Sequence, residues 1–167
     1  AVDPDELVPI GEYVEQGGHV VVGFQSGITD RSGRLMPGGY LGPLARTLGI
    51  RIDEFAPLAP DAQIAIDGGS ASLWSERLIV ESASIIARFV EGDLAGSAAI
   101  TRNERGLGTA TYVATLPDVA GLASVLTRVM DDAGIVPDPR AAPGVEVVTR
   151  GTSTFVIDHL RRTVEVQ

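Results

Sequence analysis

The chain has no cysteine, no lysine and only two histidines among its 167 residues. Without cysteine it can form neither disulfides nor a nucleophilic thiolate. His19 and His159 are isolated, and the aspartates lack the alternating pattern of a calcium loop, so the sequence predicts no metal site. The glycine pairs at 38–39 and 68–69 are not followed by the residues that complete a phosphate-binding loop. We therefore expect no metal ion and no cofactor.

Long apolar runs and excess positive charge are also missing. No run approaches the roughly 18 apolar residues that a membrane-spanning helix needs, and no signal-peptide pattern is visible. The net charge of −9 argues against nucleic acid and anionic membrane surfaces as partners. The hydrophobic content of 44% is sufficient for a packed domain. A cysteine-free chain is compatible with the cytoplasm, where we expect the protein to act.

The most informative segment, Tyr13–Asp30, contains a helix end, a turn and a strand. The pair Gly17–Gly18 favours the left-handed turn that ends many helices. The β-branched run Val20–Val22 is typical of a strand that is covered on both faces. The loop Gln25–Asp30 follows the carboxyl end of that strand, where open α/β sheets place their ligands. The segment therefore predicts an α/β unit with a polar loop.

Shorter signals predict further elements along the chain. Asp3 and Pro4 favour a helix start near the N-terminus. Residues 43–48 favour a short helix and residues 50–55 a strand, whereas 56–75 show no regular pattern. Four short β-type segments, separated by glycine turns, follow at 78–80, 85–90, 98–102 and 109–114.

The clearest helical pattern spans residues 117–133 and carries one apolar stripe. The stripe consists of Val119, Leu122, Ala123, Leu126, Val129, Met130 and Ala133. Gly134 favours the end of this helix. Residues 137–144 have the composition of a linker, and three β-type segments at 145–150, 154–158 and 163–166 complete the chain.

Four segments resemble, in this order, the middle domain of glycoside hydrolase family 42 β-galactosidases. They are Tyr13–Asp30, the glycine-rich Gly38–Phe55, Thr101–Tyr112 and the helix over 117–133. The resemblance implies an α/β fold with a flavodoxin-like parallel sheet, similar to class I glutamine amidotransferases, and a short antiparallel β segment at the C-terminus. It divides the chain into a partial trimerisation domain (1–136), a linker (137–144) and the start of the family's C-terminal β domain (145–167).

The resemblance also implies a function. The family's middle domain holds trimers together, and its catalytic carboxylates lie in a separate (β/α)₈ barrel of about 250 residues. We therefore expect a non-catalytic assembly domain of an enzyme that hydrolyses terminal β-D-galactosides, with other copies and the parent's barrel as partners. The family's first βα units have no counterpart here, so an apolar sheet edge should be exposed. That edge favours a homo-oligomer, a trimer first and an edge-paired dimer second.

Two residues resemble catalytic groups. Glu104 follows Asn103, as the general acid does in related barrel enzymes, but a hairpin turn at Arg105–Gly108 comes next and no second glutamate is placed to pair with it. Ser26 lies on a strand-to-loop turn without the glycine spacing of a nucleophile elbow. His19 starts the same strand, about 20 Å away. We expect a solvated turn and a loop-stabilising serine.

The loops Gln25–Asp30 and Met36–Gly42 are therefore expected to act as interface positions rather than in catalysis. Tyr40 and Trp74 could stack on a sugar ring, but packing in a core or an interface is commoner. The candidate loop and interface residues are Gln25, Ser26, Asp30, Tyr40 and Trp74. A stand-alone α/β module that binds a sugar or another small molecule is the alternative function. A serine hydrolase acting through Ser26 is a third.

Overall fold

The computed structural model describes residues 1–167, which divide into two compact units, Ala1–Ala133 and Gly134–Gln167. None of its helices has the length and apolarity to span a bilayer. The elements in chain order are α1 (Pro4–Glu15), β1 (His19–Gly23), α2 (Leu44–Leu48), β2 (Ile50–Phe55), β3 (Gln63–Ile66), β4 (Gly69–Val80), β5 (Ser84–Arg88), β6 (Ala98–Arg105), β7 (Gly108–Val113), β8 (Thr115–Pro117), α3 (Val119–Asp132), β9 (Val145–Arg150), β10 (Ser153–Asp158) and β11 (Thr163–Val166).

The helix α1 begins and ends where the sequence predicts. Its first residue is Pro4, and the Asp3 N–H donates to Glu6 Oε2 at 2.9 Å. This bond satisfies a backbone donor at the helix start and lowers the pKa of Glu6. At the other end Gly17 adopts a φ of 106°, and the Gly18 N–H donates to the Tyr13 carbonyl. The resulting turn directs the chain into β1.

The first sheet of unit 1 has the strand order β1-β7-β6-β5. β1 pairs with β7 in parallel, and the other two pairs are antiparallel. On its other side β1 has no partner, and Val21 in its centre is 38% exposed. β1 is therefore an open edge strand. Since Val21 is exposed, the prediction that the run Val20–Val22 is covered on both faces is wrong.

The second sheet is antiparallel and is organised around β4, which is twelve residues long. β4 pairs with β2, β3 and β8 along its length. β3 and the first half of β4 occupy the stretch for which the sequence predicts no element. This stretch is rich in small residues, such as Ala71 opposite Ile64, so cross-strand pairing rather than local propensity forms these strands.

Where the resemblance implies a parallel sheet, the strand directions in this chain are mixed. β1–β7 is the one parallel pair, because most neighbouring strands are joined by connections too short for a crossover of a dozen residues. Between β6 and β7, for example, the turn consists of Gly106, with a φ of 59°, and Leu107. Unit 1 is an α/β-like unit with few helices and mixed strand directions.

Two clusters of buried side chains stabilise unit 1. One surrounds α1, α2 and β2 and includes Val14, Leu48 and Ile50, each wholly buried. The other includes Phe89 and Val125. The first cluster extends to β7, so α1 and α2 pack against the strands whose ends carry the loops described below.

The helix α3 lies where the sequence predicts, but much of its apolar stripe is exposed. Val125 is its one buried residue. Val119, Leu122 and Leu126 are exposed to solvent. The helical period therefore predicts the element correctly, while burial of one face does not follow from it.

Unit 2 is a three-stranded antiparallel sheet in the order β9-β10-β11. Its central strand is half-buried along its whole length, with Phe155 opposite both Val148 and Val166. The antiparallel C-terminal segment is confirmed. The predicted linker, residues 137–144, lies within this unit, and its role as a linker stays a prediction.

Candidate functional site

The segment Gln25–Gly42, called the 25–42 loop below, starts two residues after β1. Two backbone hydrogen bonds connect the beginning of the loop to its second half. The Leu41 N–H donates to the Gly27 carbonyl at 2.8 Å, and the Met36 N–H donates to the Ile28 carbonyl at 2.9 Å. Gly27 has a φ of 60°, and a Cβ atom there would lie 2.8 Å from Leu41 Cα. Glycine is therefore required at this crossing.

Asp30 fixes the tip of the loop. Its Oδ1 accepts from the Ser32 hydroxyl at 2.6 Å, the Ser32 N–H at 2.8 Å and the Arg34 N–H at 2.9 Å. The hydrogen bond from the Ser32 hydroxyl is the main reason why the pKa of Asp30 is lowered, and the Arg34 N–H adds to it. Asp30 is thus an ionised turn residue.

The loop tip is also tied to the start of α1. The Arg31 guanidinium donates to both carboxylate oxygens of Glu6, and the Arg31 N–H donates to Asp3 Oδ1 at 3.2 Å. These groups are exposed, so the ion pair contributes little to stability. Its effect is geometric, because it orients the loop tip beside the helix.

Ser26 has no histidine of unit 1 beside it. The Nδ1 of His19 lies 2.9 Å from Thr109 Oγ1, at the opposite end of β1. His159 belongs to unit 2, where its Nε2 lies 3.1 Å from Glu146 Oε2. Within unit 1 the structure therefore does not assemble a serine–histidine pair.

Glu104 lies on β6 just before the hairpin turn, and its side chain is 78% exposed. Its Oε1 accepts from Arg102 Nη1 at 2.8 Å. No hydrogen bond joins it to a second carboxyl group, and its position on a hairpin agrees with the solvated turn that the sequence predicts.

Tyr40 and Trp74 belong to one aromatic cluster with Phe24 and Phe55. The rings of Tyr40 and Phe55 lie 4.6 Å apart, and those of Phe55 and Trp74 lie 5.6 Å apart. Phe24 stacks on Trp74 with a centroid separation of 6.5 Å. All four residues are half-buried. The cluster connects Tyr40 in the loop, and Phe24 just before it, to Phe55 on β2 and Trp74 on β4, so these aromatic residues mainly pack.

Glu76 also belongs to this region, although the sequence analysis does not identify it as a candidate residue. It lies on β4, two residues after Trp74, and is wholly buried. Its Oε1 accepts from the Gln25 N–H at 3.0 Å and from the indole N–H of Trp74 at 3.1 Å. Its Oε2 lies 2.5 Å from the Tyr112 hydroxyl. Burial, followed by the charge of Glu76, raises the pKa of Tyr112, which stays neutral.

Polar contacts hold both ends of α3 against the rest of unit 1. At its start the Asp118 carboxylate accepts from the Gly121 N–H at 2.7 Å and from the Ser70 N–H at 2.9 Å. At its end Arg102 donates to both oxygens of Asp132, at 2.7 and 3.0 Å. These hydrogen bonds lower the pKa values of both aspartates. Such contacts orient α3 although much of its apolar stripe is exposed.

Comparison with known sequences gives the family. The profile described as "Beta-galactosidase trimerisation domain" matches residues 2–136. A β-galactosidase from Arthrobacter sp is 36% identical over 173 residues, which cover 100% of this chain and 25% of that protein. The β-galactosidase LacZ of Heyndrickxia coagulans is 40% identical over 155 residues, covering 88% of this chain and 23% of that protein. The chain thus spans about a quarter of the length of these curated relatives.

Solved structures give the same result. The β-galactosidase from Bacillus circulans sp. alkalophilus matches with a TM-score of 0.86 and 29% identity, over 95% of this chain and 26% of that chain. The polyextremophilic β-galactosidase of the haloarchaeon Halorubrum lacusprofundi matches with a TM-score of 0.83 and 26% identity, over 95% and 24%. The chain belongs to the β-galactosidase trimerisation domain family of glycoside hydrolase family 42.

Proposed function

We propose that this chain is the assembly domain of a β-galactosidase and holds copies of the parent protein together as a homotrimer. The observation that carries the proposal is the family match over residues 2–136, which includes unit 1 except Ala1. The match favours assembly over a stand-alone module that binds a sugar or another small molecule.

The parent protein, on this proposal, hydrolyses terminal β-D-galactosides in a different domain. The relatives extend far beyond the matched quarter, which leaves room for a (β/α)₈ barrel of about 250 residues. That barrel is then a second partner of this chain and supplies the catalytic carboxylates.

The 25–42 loop is the proposed contact surface between copies. It carries or adjoins the candidate residues Gln25, Ser26, Asp30, Tyr40 and Trp74. Leu35 near its tip is 64% exposed. Because the loop backbone is already fixed, association costs little further ordering of the chain. Specific homo-oligomeric interfaces usually bury on the order of 1,000 Å² or more, so neighbouring surfaces must contribute as well.

We extend the proposal to the fold of unit 1 and to the cellular location of the parent protein. The α1–β1 unit and the parallel β1–β7 pair support a flavodoxin-like relationship to class I glutamine amidotransferases. A structure of the parent protein tests this by showing whether further parallel strands extend the β1 edge.

We also place the parent in the cytoplasm, and fractionation of the producing cells tests that location.

A charged residue on the proposed contact surface tests the interface. Leu35→Asp should weaken association of the chain at least tenfold, because it places a carboxylate in a desolvated contact. Leu107→Asp is the matched control, since Leu107 is 83% exposed at the β6–β7 turn. Sedimentation velocity across a concentration series measures both. Equal association of the two variants would remove the loop from the interface.

Catalysis is tested separately with a chromogenic β-galactoside. The chain should give no turnover, because on this proposal the catalytic carboxylates of the retaining glycosidase lie in the parent's barrel. Turnover that Glu104→Gln abolishes would overturn the assignment of a non-catalytic role.

A further inference from the structure

Glu76 is the most unusual buried group in unit 1. It is wholly buried, yet no arginine or histidine forms an ion pair with it. A buried carboxyl group without a cation is costly unless its oxygens accept hydrogen bonds. Three hydrogen bonds serve that purpose here, and they come from three different parts of the chain: the loop, β4 and β7.

The two contacts to Oε1 have a fixed direction. A backbone N–H and an indole N–H can only donate, so Oε1 must be an acceptor. The Tyr112 hydroxyl at Oε2 can donate or accept. The geometry therefore requires an acceptor at Oε1 and accommodates either a donor or an acceptor at the second position.

Gln25 is the loop residue that depends on this acceptor. It adopts a φ of 60°, a left-handed conformation that is unfavourable for residues other than glycine. Its N–H points into the protein and donates to Glu76 Oε1. Two residues further on, Gly27 accepts the bond from Leu41 that closes the loop. The left-handed Gln25 thus lies two residues before the hydrogen bond that closes the loop.

We propose that Glu76 is the positioning residue of the 25–42 loop. Its Oε1 accepts from the Gln25 N–H and thereby stabilises the left-handed conformation of this residue. The same oxygen accepts from the indole N–H of Trp74, which connects the loop to the aromatic cluster. The consequence for assembly rests on the proposed function, since the loop is the proposed contact surface. The positioning role itself is local.

Two substitutions in the 167-residue chain distinguish the effect of the acceptor oxygens of Glu76 from that of its charge. Glu76→Leu keeps a similar volume and removes both acceptors. Glu76→Gln keeps a carbonyl oxygen for Gln25 and Trp74, and its amide can donate to the Tyr112 hydroxyl. We expect Glu76→Leu to speed hydrogen exchange of the Gln25 amide on the order of tenfold or more relative to β7 amides. Glu76→Gln should restore protection to within about threefold of the wild type.

Tyr112→Phe is the control for a merely structural role. It removes the partner of Oε2 but leaves both bonds to Oε1, so global stability should fall while the Gln25 amide stays protected. The proposal is overturned if the Gln25 amide in Glu76→Leu stays as protected as in Tyr112→Phe, or if Glu76→Gln does not restore protection.

The wild-type chain provides a test that does not depend on folding of a variant. The Gln25 amide and the indole N–H of Trp74, the only tryptophan, should both exchange slowly with solvent. Because both donate to Glu76 Oε1, their NMR resonances should shift together when that contact is disturbed. Exchange of either group at the rate of an unstructured peptide would overturn the proposal. A loosened loop in Glu76→Leu with unchanged oligomer mass would support positioning by Glu76 and contradict the proposed function of the loop.

Discussion

The 25–42 loop contains almost no regular secondary structure, yet its backbone is fixed by the Gly27–Leu41 crossing, by Asp30 at its tip and by Glu76 beneath its start. The helix α3 is regular over fourteen residues but has one buried side chain. The irregular loop is therefore well anchored, whereas the regular helix is buried at only one residue.

The difference lies in where acceptors are placed. In the loop a wholly buried carboxylate and backbone carbonyls point at the donors of an irregular chain. In α3 the acceptors that anchor the helix, Asp118 and Asp132, lie at its two ends, while the middle presents apolar side chains to solvent. Regions with few buried apolar contacts are those that open locally at low free energy. The loop should therefore be the more rigid of the two.

The largest effect in the comparison should come from Gly27→Ala. A Cβ atom at this position meets the Leu41 backbone at 2.8 Å and a φ of 60° opposes it as well, so we expect a loss of about 2–4 kcal/mol in the free energy of unfolding. Gly33→Ala is the matched control. Gly33 has a φ of 80° but open space around it, and its loss should be about 1 kcal/mol. Denaturant unfolding measures both, and equal losses would show that the crossing is not tight.

A smaller effect should separate two valines of α3. Val125→Ala removes methyl groups from the one buried position of the helix and should cost about 1–2 kcal/mol. Val119→Ala alters a residue that is 88% exposed and should change stability by less than about 0.5 kcal/mol. Thermal unfolding at a concentration where the chain is monomeric checks this pair. A comparable loss for Val119→Ala would mean that the apolar stripe is covered.

The smallest effect should appear on acidification. The folded-state pKa values of Asp118 and Asp132 are lowered from 3.8, by the Gly121 amide and by Arg102 respectively. Their stabilising contribution is therefore complete above about pH 4 and disappears as the pH falls through the lowered values. As the pH falls below about 4 the α3 amides should lose exchange protection, while the Leu41 amide keeps its bond to a carbonyl. Simultaneous loss of both would contradict the separate anchoring of the two regions.

Local signals in the sequence were sufficient for many elements. The pair Gly17–Gly18 marks the end of α1, the run Val20–Val22 marks β1, and Gly49 ends α2 with a φ of 65°. Each of these depends on backbone preferences within a few residues. The four segments that carry the family resemblance also lie in unit 1, and the family match confirms them.

Long-range pairing and burial were not predictable in the same way. β3 and the start of β4 form a hairpin across the two-residue turn Asp67–Gly68, a short-range signal that is hard to see because the small residues of β4 give little local sign of a strand. The pairing of β4 with β8 is long-range. Glu76 was missed because an acidic residue on a strand usually faces solvent. Its burial depends on Gln25, Trp74 and Tyr112 meeting at one point. The strand directions of the first sheet likewise depend on contacts that no single segment encodes.

Assembly is the central claim, and the mass of the wild-type chain in solution tests it most directly. Size-exclusion chromatography coupled to light scattering, at low micromolar concentration and moderate salt, should give three times the chain mass of 17.4 kDa. A mass of twice that value would favour pairing through the open edge of β1 over a trimer. A single monodisperse species of 17.4 kDa would contradict an assembly role for this chain.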